Sequence, residues 1–249
     1  MKLIKWIHNL GIIFFLKKIF RKNPSKYLAP KKAYDLIAST YNTKEFNLFH
    51  FIDEKILSNF FEHLELKGKC VLDYGCGTGW KIPLIETYGA SKILVSDIST
   101  EMLKFCTSNH KKLTVVELIG ESNLNYPSNS IDVITCNLVI GYVKNIKALF
   151  QEWARVLKPN GIIILTDVHP ELNKNGKQRN FIVENANIIV ESFPYTENDI
   201  VSSAKNSSLK VIEFKNHSVT EVYKNELPIN VYENFLNKNI SYSAVLTKI

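Results

Sequence analysis

The chain has 249 residues, 45% of them hydrophobic and 22% charged, which suits one globular α/β domain with some additions and no repeat or low-complexity tract. Its formal net charge of +7 is local, because nine of the 31 Lys and Arg lie within residues 1–32, where there is no acid, and the other 22 face 24 acids. The body is therefore near neutral and shows no basic face that could track phosphates, which argues against a nucleic-acid partner. Cys70, Cys76, Cys106 and Cys136 form no C-x-x-C pair. They read as reduced core residues of a cytosolic protein, neither a metal site nor a disulfide framework.

Residues 1–22 are apolar with cationic punctuation, and the longest run without Lys or Arg, Trp6 to Leu16, is eleven residues. A membrane-spanning helix needs roughly twenty. A secretory signal fits poorly, since no small-residue cleavage site follows Leu16 and the cation cluster comes after the apolar run. Two readings stand for this segment: a basic amphipathic helix lying on an anionic membrane surface, or a helix packed over the body as a lid. Beyond Pro24 and Pro30, which break the chain, Lys32 to Asn42 predicts a helix carrying Tyr34 and Tyr41, and Phe51 to Leu64 predicts a second with apolar residues near a 3.6 period.

The most informative stretch follows, Val71-Leu72-Asp73-Tyr74-Gly75-Cys76-Gly77-Thr78-Gly79, with Asp97 ending the next apolar run 18 residues after Gly79. A short strand running into glycines at alternate positions builds a turn where backbone can touch a ligand, and the later acid can hydrogen-bond a ribose. Dinucleotide fingerprints run G-x-G-x-x-G, whereas Trp stands at position 80 here, so the loop suits a nucleoside without phosphates. Strands are expected near Cys70–Tyr74, Lys92–Ser96, Leu113–Leu118, Ile131–Cys136 and Gly161–Thr166, with helices near Lys81–Thr87, Glu101–Ser108 and Ile146–Leu157. Such alternation is the signature of a parallel, doubly wound sheet, whose ligands bind beyond the carboxyl ends of the strands. Asp73, Gly75, Asp97 and Asn137 all fall at such ends.

From Val71 to about Asp167 the chain resembles the class I S-adenosylmethionine-dependent methyltransferases, of the small-molecule type 11 kind. Four blocks stand in that family's order: D-x-G-C-G-T-G, the acidic strand end at Asp97, Tyr126-Pro127-Ser128-Asn129-Ser130-Ile131-Asp132, and Glu152-Trp153-Ala154-Arg155-Val156-Leu157-Lys158-Pro159-Asn160-Gly161. The resemblance implies an α/β fold with a doubly wound, mostly parallel seven-stranded sheet (Rossmann-like), N-terminal helices and a small inserted cap on the substrate side. Residues 33–249 would form that domain, with insertions near 171–195 and 221–239, and residues 1–32 a basic apolar N-terminal helix segment. S-adenosyl-L-methionine is the implied cofactor. Gly75, Cys76, Gly77 and Gly79 would let the backbone approach it, Asp97 would hold the ribose hydroxyls, and Ile98 and Met102 would join the contacting set. Asp73 would orient the loop amides or face the sulfonium, and Asn137 would touch the amino-acid moiety. Tyr34 and Tyr41 would cover the methionine end, or simply pack their helix. The chain departs from the family where an acid is expected at the adenine, since Gly120 stands there. Glu121 is displaced by one residue and Ser122 follows, so either Glu121 or main-chain groups of Gly120 to Ser122 would read the base.

A general base is needed only for a hydroxyl or protonated amine acceptor, and a histidine near neutral pKa would serve. His169, in Thr166-Asp167-Val168-His169-Pro170, is the first candidate and His50 the second. Beyond Glu171, residues 181–184 and 188–191 flank Asn185-Ala186-Asn187 and predict an inserted hairpin, while Lys210–Phe214 and Tyr242–Leu246 predict closing antiparallel strands. The chain lacks the N-P-P-Y-like motif and Pro-Cys nucleophile of DNA-base methylation. A small-molecule acceptor, with a hint of hydrophobicity, is the preferred reading for a cytoplasmic enzyme; for residues 1–22 the lid or packing helix is slightly favoured, with peripheral membrane contact as the alternative. The alternatives are a protein methyltransferase and a non-catalytic scaffold attached by its N-terminus.

Overall fold

The computed structural model describes residues 25–43, 46–120, 122–174 and 179–249. Residues 1–22 lie outside them, as does Glu121. The central sheet has seven strands in the order β11-β12-β8-β7-β2-β3-β4. In chain order these are β2 (Cys70–Tyr74), β3 (Lys92–Ser96), β4 (Leu113–Val115), β7 (Ile131–Asn137), β8 (Leu157–Val168), β11 (Leu209–Ser218) and β12 (Asn239–Lys248). Strands β4, β3, β2, β7 and β8 run parallel, and β12 is antiparallel to both β8 and β11. The mostly parallel seven-stranded sheet is thus the expected one. Ile, Val and Leu fill β2, β3 and β7, as burial on both faces requires.

The helix Ile146–Val156 covers one face. Asn145 caps it by accepting the Ala148 N–H at 3.0 Å, and its buried side includes Ile146, Leu149, Phe150 and Trp153. The Trp153 ring is fully buried, stacked on Phe150 at 5.4 Å and edge-on to Tyr74 at 5.3 Å. Through Tyr74 this cluster supports the residue that leads into the glycine turn.

Elsewhere the chain departs from its local pattern for identifiable reasons. Pro30 opens the helix Pro30–Ile37 where the sequence suggested a break, because a first-turn proline forfeits no helical hydrogen bond. A 3-10 segment, Ala38–Thr43, continues it. The second helix, Leu48–His63, starts earlier than its apolar period because the Asn47 side chain accepts the Phe49 and His50 N–H groups. The single strand expected over Leu113–Leu118 divides, and β5 (Leu118–Ile119) turns back at Gly120 (φ +69°) to pair with β6 (Asn123–Leu124).

A second, three-stranded sheet forms a cap. The expected hairpin is present as β9 (Asn180–Val183) and β10 (Ala186–Val190), and β1 (Ser25–Leu28) adds to it in parallel along β10. Residues 25–32, grouped with the N-terminal segment by their charge, therefore belong to the folded body. Replacing Trp153 by Ala should cost about 3–5 kcal/mol and lower the thermal midpoint by on the order of 10 °C, as measured by urea and thermal denaturation. A shift of under about 1 kcal/mol would show that the core does not depend on this ring.

Candidate active site

Beyond the carboxyl ends of β2, β3 and β7 lies a cavity of about 1120 Å³, above the usual range for small-molecule pockets. The glycine turn forms its floor. Gly75 (φ +69°) and Cys76 both donate their N–H to Ser96 O, at 2.8 and 3.0 Å, which binds the turn to the end of β3. A Cβ on Gly75 would overlap the Val139 side chain. One on Gly77 (φ +56°) would meet no protein atom within 4 Å. Gly79 (φ +86°) turns the other way, where a Cβ would lie 2.8 Å from Cys106 Sγ, so its role is packing and it does not line the cavity.

Asp97 stands across from Gly77 in the cavity wall. One carboxylate oxygen accepts the Gly77 N–H at 2.8 Å and the other the Ser99 N–H at 2.8 Å. Burial pushes its carboxyl up to about 6, with Asp73 adding to the rise and the two N–H donors opposing it. Ile98, Met102 and Leu118 complete an apolar side of the same wall. Gly120 and Ser122 are not part of it, because the β5–β6 turn carries them away and leaves Leu118 as the contact from that hairpin.

Asp73 is fully buried beneath the turn and does not reach the cavity. Its partner is Lys81, which precedes the helix Ile82–Thr87, with Nζ 2.8 Å from the carboxylate. Lys81 Nζ also donates to Asn137 Oδ1 at 3.2 Å, and Asn137 Nδ2 donates to Thr166 Oγ1 at 2.9 Å. Burial disfavours the Lys81 charge, but the Asp73 carboxylate outweighs it and raises the ammonium pKa. Asn137 thereby presents itself to the cavity in a fixed orientation. The sequence offered one unused signal for Lys81, a lysine at the start of an otherwise apolar segment after the glycines.

A second carboxyl, Asp53 on the helix Leu48–His63, is buried under the same network and neither oxygen makes a hydrogen bond of ordinary geometry. Burial pushes it up to about 7 against the pull of the Thr166 hydroxyl and the Lys81 ammonium, with Asp167 and Asp73 adding to the rise.

Aromatic side chains enclose much of the rest. Tyr34 OH donates to Tyr142 OH at 2.6 Å, and Tyr41 OH lies 3.2 Å from His50 Nε2. The His50 ring stacks on Trp80 at 4.9 Å. Burial and then the Lys81 cation lower His50 to about 4, so the imidazole is neutral at pH 7. His169 stands apart. Its ring is buried, its Nδ1 accepts the Glu171 N–H at 3.4 Å, and its neighbours Val168 and Leu172 line the cavity while it does not. From the cap comes Arg179, which the sequence did not single out because the segment around it follows no periodic or motif pattern.

Residues 72–165 match the family model described as a methyltransferase domain. Within these residues the chain carries a methyltransferase domain. Over 128 residues it is 30% identical to a malonyl-[acyl-carrier protein] O-methyltransferase of Gallionella capsiferriformans, covering 47% of this chain and 43% of the relative. Over 111 residues it is 32% identical to the demethylmenaquinone methyltransferase of Bacillus licheniformis, covering 43% and 48%. The chain spans less than half the length of these curated relatives. In fold it is similar to an S-adenosylmethionine-dependent methyltransferase from Mesorhizobium loti, with TM-score 0.64 at 18% identity over 78% of this chain and 97% of that one. The open space over Gly77, rimmed by the Asp97 carboxylate, fits S-adenosyl-L-methionine, the cofactor named for that structural neighbour.

The buried Asp53 gives the domain a pH-dependent stability of defined sign. Its folded pKa of about 7 lies above the ordinary 3.8, so the native state keeps a proton that the unfolded chain has released between about pH 4 and pH 7. Stability is lost as pH rises through that window. Asp53→Asn should therefore be more stable than the parent at pH 8, by up to about 4 kcal/mol, with the gap closing near pH 4. Denaturation midpoints of both proteins across that range check it, and equal midpoints at pH 8 would contradict it.

Proposed function

We propose that this protein transfers a methyl group from S-adenosylmethionine to a small, largely apolar acceptor by direct displacement. The observation that carries the reading is the left-handed Gly77, with no protein atom where its Cβ would be, facing the Asp97 carboxylate in a cavity of about 1120 Å³. When bound, the cofactor supplies a sulfonium leaving group, so the residues of the chain have to align a nucleophile and exclude water. Asp97 holds the ribose hydroxyls, and Ile98, Met102 and Leu118 pack the adenine. Asn137, oriented by Lys81, faces the amino-acid moiety. Tyr34 and Tyr41 cover the methyl-bearing end.

Phe49, Leu172 and Phe235 line the cavity from elements outside the central motif and supply an apolar wall for the acceptor. The name of the Gallionella relative supports oxygen as the nucleophile. Where the acceptor hydroxyl must lose its proton, His50 is the histidine this geometry favours over His169, because it lines the cavity and is held through Tyr41, although its lowered pKa makes it a weak base. Isothermal calorimetry with S-adenosylhomocysteine should show binding, and Asp97→Ala should weaken it about tenfold to a hundredfold. Affinity should fall as pH drops through about 6, where the Asp97 carboxylate takes up a proton. Unchanged affinity in a folded variant would refute the assignment. A metabolite screen with methyl-labelled cofactor identifies the acceptor.

We also propose peripheral membrane contact through residues 1–22, with the cations Lys2, Lys5, Lys17, Lys18, Arg21 and Lys22 beside the apolar run. Support comes from the point of entry into the fold. The chain arrives as β1, whose partner β10 contributes Ile189 and Val190 to the cavity wall. No described helix is long and apolar enough to cross a membrane. The full-length protein should sediment with anionic vesicles at low salt and release at high salt, each cation contributing about 1 kcal/mol. Deleting residues 1–22 should abolish sedimentation and spare cofactor binding. A full-length protein that stays in the supernatant at low salt would exclude the contact.

A further inference from the structure

The cap brings a guanidinium into the cavity wall whose hydrogen-bonding capacity the protein does not use up. Arg179 immediately precedes β9, and its backbone is fixed by Val190 N–H donating to Arg179 O at 2.9 Å. Its side chain is 10% exposed. Nη1 donates to Leu138 O at 3.2 Å, Nη2 donates to Asp167 Oδ1, and the guanidinium lies over the Tyr142 ring at 4.4 Å. Nε–H is buried and makes no hydrogen bond among the described residues. The Asp167 carboxylate, by contrast, is fully engaged, since it also accepts the Val168 N–H at 2.9 Å and the Gly141 N–H at 2.8 Å. The backbone is shaped for this pair. A Cβ on Gly141 would come within 2.5 Å of Arg179 Nη2 and 2.7 Å of the Asp167 carboxylate.

An arginine held this way costs desolvation energy, and a structural tie between cap and sheet needs no cation. A planar fork with spare donors is suited to a carboxylate, which can take two parallel N–H bonds. We infer that Arg179 forms a carboxylate subsite of the cavity, completed by a ligand and anchored by Asp167. The inference rests on the methyltransferase reading for the choice of ligands. The carboxylate has two sources, the methionine part of the cofactor and the acceptor. Arg179 is fixed at Leu138, which lines the cavity next to Asn137 at the end of β7.

The test compares S-adenosylhomocysteine with 5′-deoxy-5′-methylthioadenosine, the same nucleoside thioether without the amino acid, in calorimetry on the full-length protein and on Arg179→Gln. Benzoate is titrated as a second arm, with and without saturating S-adenosylhomocysteine. A tenfold or greater loss of S-adenosylhomocysteine affinity in Arg179→Gln, with methylthioadenosine unchanged, establishes the cofactor carboxylate as occupant. Unchanged S-adenosylhomocysteine affinity, together with benzoate binding that the variant loses, establishes the acceptor. Equal losses for both nucleosides would reduce Arg179 to a structural tie, and no change in any arm would remove the subsite. Because Arg179→Gln leaves Asp167 unpaired, the double variant Arg179→Gln/Asp167→Asn, which leaves no lone charge, is measured in parallel. If neither nucleoside binds the parent protein, the cofactor reading fails, and the benzoate arm still decides the subsite.

Discussion

The Lys81 ammonium is the interaction on which the site depends. It lies in a region that holds the buried carboxyls Asp73 and Asp53, and it can form a close ion pair with only one of them. Asp73 takes the pair at 2.8 Å, which ties the strand before the glycine turn to the helix after it. The same ammonium reaches Asn137 at the end of β7. Removing one member of a buried pair leaves an uncompensated charge, at a cost of about 3–5 kcal/mol, so the turn and the neighbouring strand end are held as one unit. Asp53, left without a close ion pair, holds its proton to higher pH as the counterpart of that choice.

Electrostatics in the cavity wall follow a consistent pattern. Each cation is matched by an aspartate, Lys81 by Asp73 and Arg179 by Asp167, while Asp97 has only N–H donors. His50 carries no charge because it is buried near Lys81. These matched pairs leave no unpaired positive charge from Lys81 or Arg179 beside the cavity. Binding and catalysis then depend more on shape and hydrogen-bond direction than on a strong local field.

The cap couples distant parts of the chain. Strand β1 pairs with β10, some 160 residues later in sequence, and Tyr34 in the helix that follows β1 meets Tyr142 from the turn after β7. A change at the N-terminal end of the folded body would thus be felt in the walls of the cavity.

Local pattern in the sequence was enough for the central sheet and for several residues that line the cavity. Apolar runs bounded by glycines or acids mark strands because strands buried on both faces need continuous Ile, Val and Leu. Glycines at alternate positions mark a turn because left-handed backbone is costly for other residues. Asp97 was legible as the acid ending the next strand. Distinguishing Gly77, open to the cavity, from Gly79, packed on Cys106, required knowing what each missing Cβ would meet. Likewise Asp73 as the partner of Lys81, Leu118 in place of Gly120, and His50 in the wall with His169 behind it depend on direction in space, which adjacent residues do not encode. Arg179 is the extreme case: its chemistry arises from Leu138, Asp167 and Tyr142, residues 12 to 41 positions away that only the packing of the cap on the sheet brings within hydrogen-bond or stacking distance.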